Sequence, residues 1–274
     1  MGAVLVTGAF DDLGIRHVRL LHECSRVGDV VVGLWSDAAV SAATGALPKF
    51  RFAERRYLLE SLKFVSRVVP VENHREPEWP PEAKALNVVA VGCDLGARSA
   101  ESAAARAVAD SLHVELRGFG DRDLEGFPEI PVSSPDPSRR RVVVTGCFDW
   151  MHSGHVRFFE EASGHGELYV VVGHDANVRL LKGEGHPRFS QYHRRYMAGS
   201  IQRVHQALVS TGSGWMDAEP EIALTGAQIY AVNEDGDKPE KREFCRTHGL
   251  EYLVLKRMPA PGLPRRSSTD LRGF

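Results

Sequence analysis

Short apolar runs alternate with longer amphipathic stretches along the chain, and this alternation predicts strands that alternate with helices. The pattern is clearest in the second half, where the apolar runs are rich in β-branched residues. We expect strands there over residues 142–145, 168–172, 207–210, 229–232 and 252–255. We expect helices over residues 152–163, 191–203 and 238–248. Strands in this order with helices indicate an α/β fold whose parallel sheet is covered on both faces.

The first half of the chain repeats the second half. Residues 3–11 nearly duplicate residues 142–149, and Asp37 matches Asp175 at an offset of 138 residues. Such self-similarity indicates one structural unit that occurs twice. We therefore predict a first domain over residues 1–132, a linker over 133–140 and a second domain over 141–274. Prolines in and before the linker favour an extended, stiff connection.

Composition narrows the class of protein. The 274 residues are 43% hydrophobic and 26% charged, which is typical of a soluble globular chain. A formal net charge of -2 argues against a nucleic-acid partner. No apolar run approaches the ~20 residues of a membrane span. The four cysteines form no CxxC pair, so we expect reduced thiols, no protein metal site and a cytoplasmic location, without a secretory signal or membrane contact.

The most informative stretch is residues 142–155, which read VVVTGCFDWMHSGH. A buried strand enters a tight turn, and a helix follows whose first turn carries His152 and His155 on one side. Unpaired N–H groups at a helix start attract phosphate. We expect Gly146 to let backbone approach a ligand and Gly154 to leave room between the imidazoles. Two surface histidines on an ordinary helix are the alternative.

Residues 146–155 resemble the signature G-x-F-D-x-x-H-x-G-H of the cytidylyltransferase-like branch of nucleotidyltransferases, with every fixed position present. The resemblance implies two tandem Rossmann-like domains with parallel sheets. It also implies that His152 and His155 are catalytic and hold phosphates. Further residues of the signature are expected to bind the nucleotide: Gly146, Cys147, Phe148, Asp149 and Gly154.

Basic residues at three places follow the second strand of this domain. Lys182 precedes Gly183 in a predicted glycine-rich loop, where relatives place a lysine on phosphate, and the resemblance implies that it is a third catalytic residue; a solvated loop lysine is the alternative. Arg188 is a candidate nucleotide ligand, although its match in the first half is retained and favours a structural role. Arg194 and Arg195 open a helix, and either is a candidate for phosphate contact or for a surface ion pair.

Asp237 lies in a segment similar to the G-G-D-Y-x-P-E segment of heptose-phosphate nucleotidyltransferases. Its carboxylate is a candidate ligand for a substrate hydroxyl, a base edge or a magnesium-bound water. An Asp-Gly turn with Asp237 as the helix N-cap and Pro239 in the first turn is equally compatible with the sequence.

The C-terminal segment resembles the S-S-T-x-[IL]-R signature of mononucleotide adenylyltransferases and the I-S-T-[ST] motif of cytidylyltransferases. Hydroxyls and N–H groups at a helix start suit an anion, and an arginine one turn later can bind phosphate oxygens. A plain N-cap of a C-terminal helix is the alternative. The resemblance implies four nucleotide-binding residues: Ser267, Ser268, Thr269 and Arg272.

The first half has lost most of this chemistry. Gly14 stands where the second half has His152, and Arg16, at the position of Gly154, is expected to enter the phosphate space. Only His17 persists, so we expect this half to be catalytically silent. The arrangement resembles the tandem ethanolamine-phosphate cytidylyltransferases, whose two copies pair internally. We therefore predict an internal pseudo-dimer, with a homodimer as a further possibility.

The favoured function is transfer of CMP from CTP to a small phosphorylated acceptor, with release of pyrophosphate. Mg²⁺ would bridge the phosphates without a dedicated protein cage. Two alternatives stay open. One is an adenylyltransferase that uses ATP, which the C-terminal motif favours. The other is a nucleotide-binding regulator without turnover, which the degenerate first half favours.

Overall fold

A computed structural model of the chain describes residues 2–73, 86–92, 100–268 and 271. The chain divides into two compact units, Met1–Gly126 and Phe127–Phe274. In the second unit, the backbone N–H of Asp136 donates to Glu167 at 3.3 Å. Arg139 donates to the carbonyls of Ser163 at 3.1 Å and Gly166 at 2.8 Å. The segment predicted to be a linker therefore bonds to the sheet and helix that follow it.

The first unit is an α/β layer structure around a parallel sheet in the order β3-β2-β1-β4-β5. Its strands are β1 Ala3–Gly8, β2 Asp29–Trp35, β3 Arg67–Val71, β4 Leu86–Gly92 and β5 Glu115–Phe119. Its helices are α1 Ile15–Ser25, α2 Asp37–Thr44, α3 Phe52–Glu60, α4 Ala100–Leu112 and α5 Asp121–Leu124. Leu5, Val89 and Val108 are fully buried and belong to the core between the sheet and α4.

The second unit has a parallel sheet in the order β10-β9-β6-β7-β8. Its strands are β6 Arg141–Gly146, β7 Glu167–Val172, β8 Val204–Val209, β9 Ile229–Asn233 and β10 Glu251–Leu255. Its helices are α6 Ser153–Ser163, α7 Asp175–Lys182, α8 Gln191–Gly199, α9 Glu219–Thr225 and α10 Pro239–Thr247. Every residue of β7 is buried, which explains its nearly continuous apolar sequence.

The two sheets share one strand order when the second is followed from its opposite edge. In each, the first strand of the unit lies between the second and fourth, so the order reverses between β1 and β4 and between β6 and β9. Ligands of such sheets bind beyond the carboxyl ends of the strands at this switch point. The predicted α/β class with two parallel sheets is confirmed, and the turn that leads to His152 and His155 follows β6 at that point.

Several element boundaries differ from the prediction. The helix predicted over residues 191–203 ends at Gly199, and β8 begins at Val204. The prediction of a loop at residues 181–183 is wrong, because α7 ends at Lys182 and Gly183 is its C-cap, with a φ of +84°. The sequence analysis did not predict α7 or α9.

Within the described residues, none of the helices combines the length and apolarity that crossing a bilayer requires. Three of the four cysteines are free thiols: Cys24, Cys147 and Cys245. Cys93 lies outside the described residues.

Candidate active site

The centre of the site is a stacked pair of imidazoles at the start of α6. His152 is the N-cap residue, and its Nδ1 accepts a hydrogen bond from the Gly154 N–H at 3.1 Å. The rings of His152 and His155 lie 3.9 Å apart between centroids and 20° from parallel. A β-carbon at Gly154 would lie 3.0 Å from two atoms of the His152 ring. Gly154 therefore makes room for the His152 ring, whereas the sequence analysis expected the room to lie between the two imidazoles, which stack directly on each other.

Burial lowers the pKa of His155 well below its usual value of 6.5, and the neighbouring His152, Arg257 and Lys182 lower it further. A hydrogen bond to the Trp150 carbonyl opposes this shift. Nδ1 of His155 is buried and has no hydrogen-bond partner among the described residues. The imidazole is therefore neutral near pH 7, and a bound anion would raise its pKa.

The turn before α6 is shaped by Phe148. This residue has a φ of +49°, and its buried ring contacts His155 and Phe159 edge-on, with centroids 5.2 Å and 5.1 Å away. A β-carbon at Gly146 would lie 2.9 Å from the Phe148 ring. The sequence analysis assigned Gly146 to close approach of a ligand, but in the structure the glycine makes room for Phe148. Phe148 in turn supports the imidazole of His155.

Asp149 holds the loop that precedes α8. Its two carboxylate oxygens accept hydrogen bonds from the backbone N–H of Arg188, and one also accepts from Phe189, all at 2.9 Å. Asp11 of the first unit accepts from the backbone of Lys49 and Phe50 in the same way. Asp149 therefore has a structural role that both units share, and a contact with nucleotide stays a prediction.

Arg194 is a buried structural residue. Its guanidinium donates to the carbonyls of Phe189 (2.9 Å), Cys147 (2.8 Å) and Gly173 (2.6 Å), and to Asp175 (2.8 Å). It is fully buried, so the hypothesis that it contacts phosphate is wrong.

The neighbouring basic side chains stand in different surroundings. Arg195 pairs with Glu129 at 2.9 Å. Lys182 is exposed at the end of α7. Burial raises the pKa of the Cys147 thiol, and the charge of Lys182 partly opposes that shift. Arg188 is also exposed, and its guanidinium carbon lies 5.6 Å from the centre of the Trp150 ring. Lys182 therefore acts electrostatically on the turn that carries the histidines.

The acidic segment after β9 is tied to neighbouring side chains. Asp237 pairs with Arg242, accepts a hydrogen bond from the Tyr252 hydroxyl at 3.0 Å, and has a pKa lowered mainly by Arg242. The N-cap of α10 is Lys238, so the alternative that assigned this role to Asp237 is wrong, although Pro239 does begin the helix.

The C-terminal motif lies partly within the described residues. The Ser268 hydroxyl donates to the Trp150 carbonyl at 3.5 Å, beside the histidine pair. Ser267 precedes it, and Thr269 and Arg272 lie outside the described residues.

Two residues of this site were not found from sequence. Trp150 occupies a variable position of the signature, yet its carbonyl contacts His155 and Ser268 and its ring contacts Phe189. Arg257 pairs with Asp235 and acts on the pKa of His155. For Trp150, the signal was a large aromatic side chain next to a phosphate motif.

The first unit fills the equivalent turn differently. An oxygen of Glu101 accepts a hydrogen bond from the Ala9 N–H at 3.0 Å, and a β-carbon at Gly8 would lie 2.9 Å from it. Arg16, which was expected in the phosphate space, pairs with Asp121 at 2.5 Å. His17 accepts a hydrogen bond from the Gly14 N–H at 3.3 Å.

Comparisons with known proteins agree with this architecture. The cytidylyltransferase-like family matches residues 143–272. The FAD synthase of Aciduliprofundum boonei is 33% identical over 138 residues, which are 48% of this chain and 84% of that protein. The bifunctional protein HldE of Methylococcus capsulatus is 31% identical over 188 residues, 63% of this chain and 40% of that one. The HldE of Nitratiruptor is 30% identical over 132 residues, 47% of this chain and 29% of that one.

A solved lipopolysaccharide core biosynthesis protein of Thermoplasma volcanium is 22% identical, with a TM-score of 0.38, and covers 45% of this chain and 99% of that one. The matches span less than half of the two HldE proteins but most of the FAD synthase. The intact signature and the match to most of the FAD synthase show that this chain belongs to the cytidylyltransferase-like family of nucleotidyltransferase enzymes.

Proposed function

We propose that this chain transfers a nucleoside monophosphate from a nucleoside triphosphate to a small phosphorylated acceptor and releases pyrophosphate. The observation that carries the proposal is the stacked pair of His152 and His155 at the start of α6. The pair lies at the switch point of the sheet, where a helix start provides N–H groups and a partial positive charge for phosphate.

In the proposed reaction, a phosphate oxygen of the acceptor forms a bond to the α-phosphorus of the triphosphate. The bond from that phosphorus to the bridging oxygen breaks, and its electron pair leaves with pyrophosphate. Such a reaction depends on in-line placement and on neutralised charge rather than on a covalent intermediate. His152 and His155 bind the phosphate oxygens, and Lys182 supplies positive charge at the end of α7.

The C-terminal motif completes the triphosphate site in this proposal. Ser268 lies beside the histidine pair through its contact with the Trp150 carbonyl. Hydroxyls and N–H groups of Ser267, Ser268 and Thr269 would bind the β- and γ-phosphates together with Arg272.

Mg²⁺ would accompany the triphosphate. Among the described residues, no group of three or more histidine, cysteine, aspartate or glutamate side chains is placed to hold a metal. The carboxylate oxygens of Asp149, the acidic residue of the signature, already accept backbone hydrogen bonds. In this proposal the ion binds mainly to phosphate oxygens and water.

CTP is the favoured donor, because the G-x-F-D form of the signature and the family match both belong to the cytidylyltransferase-like group. ATP is the alternative. The similar FAD synthase is named for a product that contains an adenylyl group, and this similarity favours ATP as the donor.

Pyrophosphate release tests the proposal. We expect the full chain with Mg²⁺ and phosphorylated alcohols or sugars to release pyrophosphate from one of CTP, ATP, GTP or UTP. His152→Ala and His155→Ala should each lower the rate by about 100- to 1,000-fold, the usual cost of removing one donor to a transition-state anion. The matched variant His17→Ala should retain the wild-type rate. Binding of a triphosphate without release across the acceptor panel would favour the regulator instead.

A further inference from the structure

A cavity of about 170 Å³ lies next to the histidine pair. It is lined by Asp149, Trp150, Gly185, Arg188 and Ser268. The carbonyl of Trp150 accepts hydrogen bonds from the ring of His155 and from Ser268. Trp150 therefore lines the cavity and also contacts two residues of the proposed phosphate-binding site. A molecule in the cavity would lie beside a bound triphosphate.

The wall of this cavity includes a cation that pairs with none of the described carboxylates. Arg188 makes no ion pair with a described carboxylate, and its guanidinium lies over the Trp150 ring at 5.6 Å. In the first unit, Lys49 takes the place of Arg188, because its backbone N–H donates to Asp11 as that of Arg188 donates to Asp149, and its ammonium group pairs with Asp12 at 3.4 Å. Asp149 is the acidic side chain of the wall, and backbone N–H groups hold its carboxylate. The charged group of the cavity wall that is left to bind a ligand is thus the Arg188 guanidinium, and a guanidinium binds phosphate through paired hydrogen bonds.

The aromatic surface of the cavity is already occupied. Arg188 covers the Trp150 ring, and Phe189 meets that ring edge-on at 5.3 Å. Ammonium groups bind best on an open aromatic face, and a second cation next to Arg188 would be repelled. The volume is close to the ~150 Å³ of a protein cavity that holds one benzene molecule, which suits a phosphate with a few carbons and is too small for a three-ring flavin.

We propose that this cavity is the acceptor site and that it selects a small phosphate monoester of an uncharged alcohol. Arg188 binds the phosphate of the acceptor. Trp150 limits the size and the charge of the alcohol part of the acceptor. This inference rests on the proposed function and narrows its substrate class. It moves Arg188 from the nucleotide to the acceptor.

Calorimetric titration of the full chain, without nucleotide, tests the site directly. Glycerol 3-phosphate should bind, whereas phosphocholine and flavin mononucleotide should bind at least about tenfold more weakly because of charge and size. Arg188→Gln should weaken the binding of glycerol 3-phosphate by about tenfold or more, and the matched variant of the first unit, Lys49→Gln, should not change it. Equal binding by Arg188→Gln and wild type, or equal binding of the three ligands, would overturn the proposal.

Turnover separates this site from the proposed function. With an active donor, Arg188→Gln and Trp150→Ala should each raise the acceptor KM by about tenfold and leave the donor KM within about twofold. If wild type binds glycerol 3-phosphate through Arg188 but releases no pyrophosphate, the function fails and the site stands. If wild type turns over and Arg188→Gln leaves the acceptor KM unchanged, the site fails and the function stands.

Discussion

Replacement of Gly154 by alanine tests whether the position of the His152 ring controls turnover. The added β-carbon would lie 3.0 Å from Cε1 and Nδ1 of His152 and 3.4 Å from the Arg266 carbonyl. Ordinary contacts of a β-carbon lie at 3.4–4 Å, so the imidazole must move by at least 0.4 Å. His155, stacked at 3.9 Å, opposes part of that movement.

The size of the effect follows from these distances. A misplacement of about 1 Å in a catalytic group can cost about 100-fold in rate, so we expect kcat of Gly154→Ala to fall by about 10- to 100-fold. Stability should change little. Alanine favours a helix by about 1 kcal/mol over glycine, and this gain offsets much of the local strain at the second position of α6.

Steady-state release of pyrophosphate and urea unfolding of the same preparations measure both quantities. Gly14→Ala, at the N-cap of α1, is the control for a glycine-to-alanine change away from the histidine pair, because its β-carbon would lie 3.8 Å from the Asp12 carbonyl, an ordinary contact. We expect this control to keep the wild-type kcat. A Gly154→Ala enzyme with wild-type kcat would refute the argument that a displaced His152 ring limits the reaction.

Three further predictions follow from the same structure. Arg194→Leu should lower the free energy of unfolding by about 3–5 kcal/mol, because it leaves Asp175 and three carbonyls without their buried donor. Arg195→Leu should lower it by less than about 1 kcal/mol, and urea unfolding of the two variants measures the difference. Burial lowers the pKa of His22 and of His193 to about 4. The unfolded chain then binds more protons below pH 6.5, so stability should fall as the pH drops from 6.5 toward 4, and a flat series of urea midpoints would contradict this. Chelation of Mg²⁺ by EDTA should abolish pyrophosphate release and leave the melting temperature of the unliganded chain unchanged; a lower melting temperature would point to a protein-bound metal.

The strands could be predicted because most of their residues are buried, and buried positions are filled by apolar residues. Residues 142–144 and the whole of β7 are buried, and their β-branched runs are typical of parallel strands. The short helices were missed because eight residues provide few turns of periodicity. In α7, the glycines at 183 and 185 favoured a loop over the helix that ends at Lys182. The helix from Gln191 was drawn too long because residues 200–203 carry no strong breaker.

The candidate site was partly predictable. The signature located His152, His155 and Gly154, whose mutual packing the structure then showed. Contacts between distant parts of the chain had no local signal. The buried bonds of Arg194 to Cys147 join residues 47 apart, and the bond between Ala9 and Glu101 joins residues 92 apart. The predicted homodimer, the internal pairing of the two copies and the choice of base stay predictions.

The Glu101 carboxylate gives the first unit a built-in substitute for a ligand. Its bond to the Ala9 N–H places a carboxyl group on the turn where the second unit has Cys147, and desolvation raises the pKa of that carboxyl. Repair of the signature through Gly14→His and Arg16→Gly would therefore not recreate a nucleotide pocket. An incoming phosphate would still meet an acidic group held in its place, so gain of binding in this half requires Glu101 to be replaced as well.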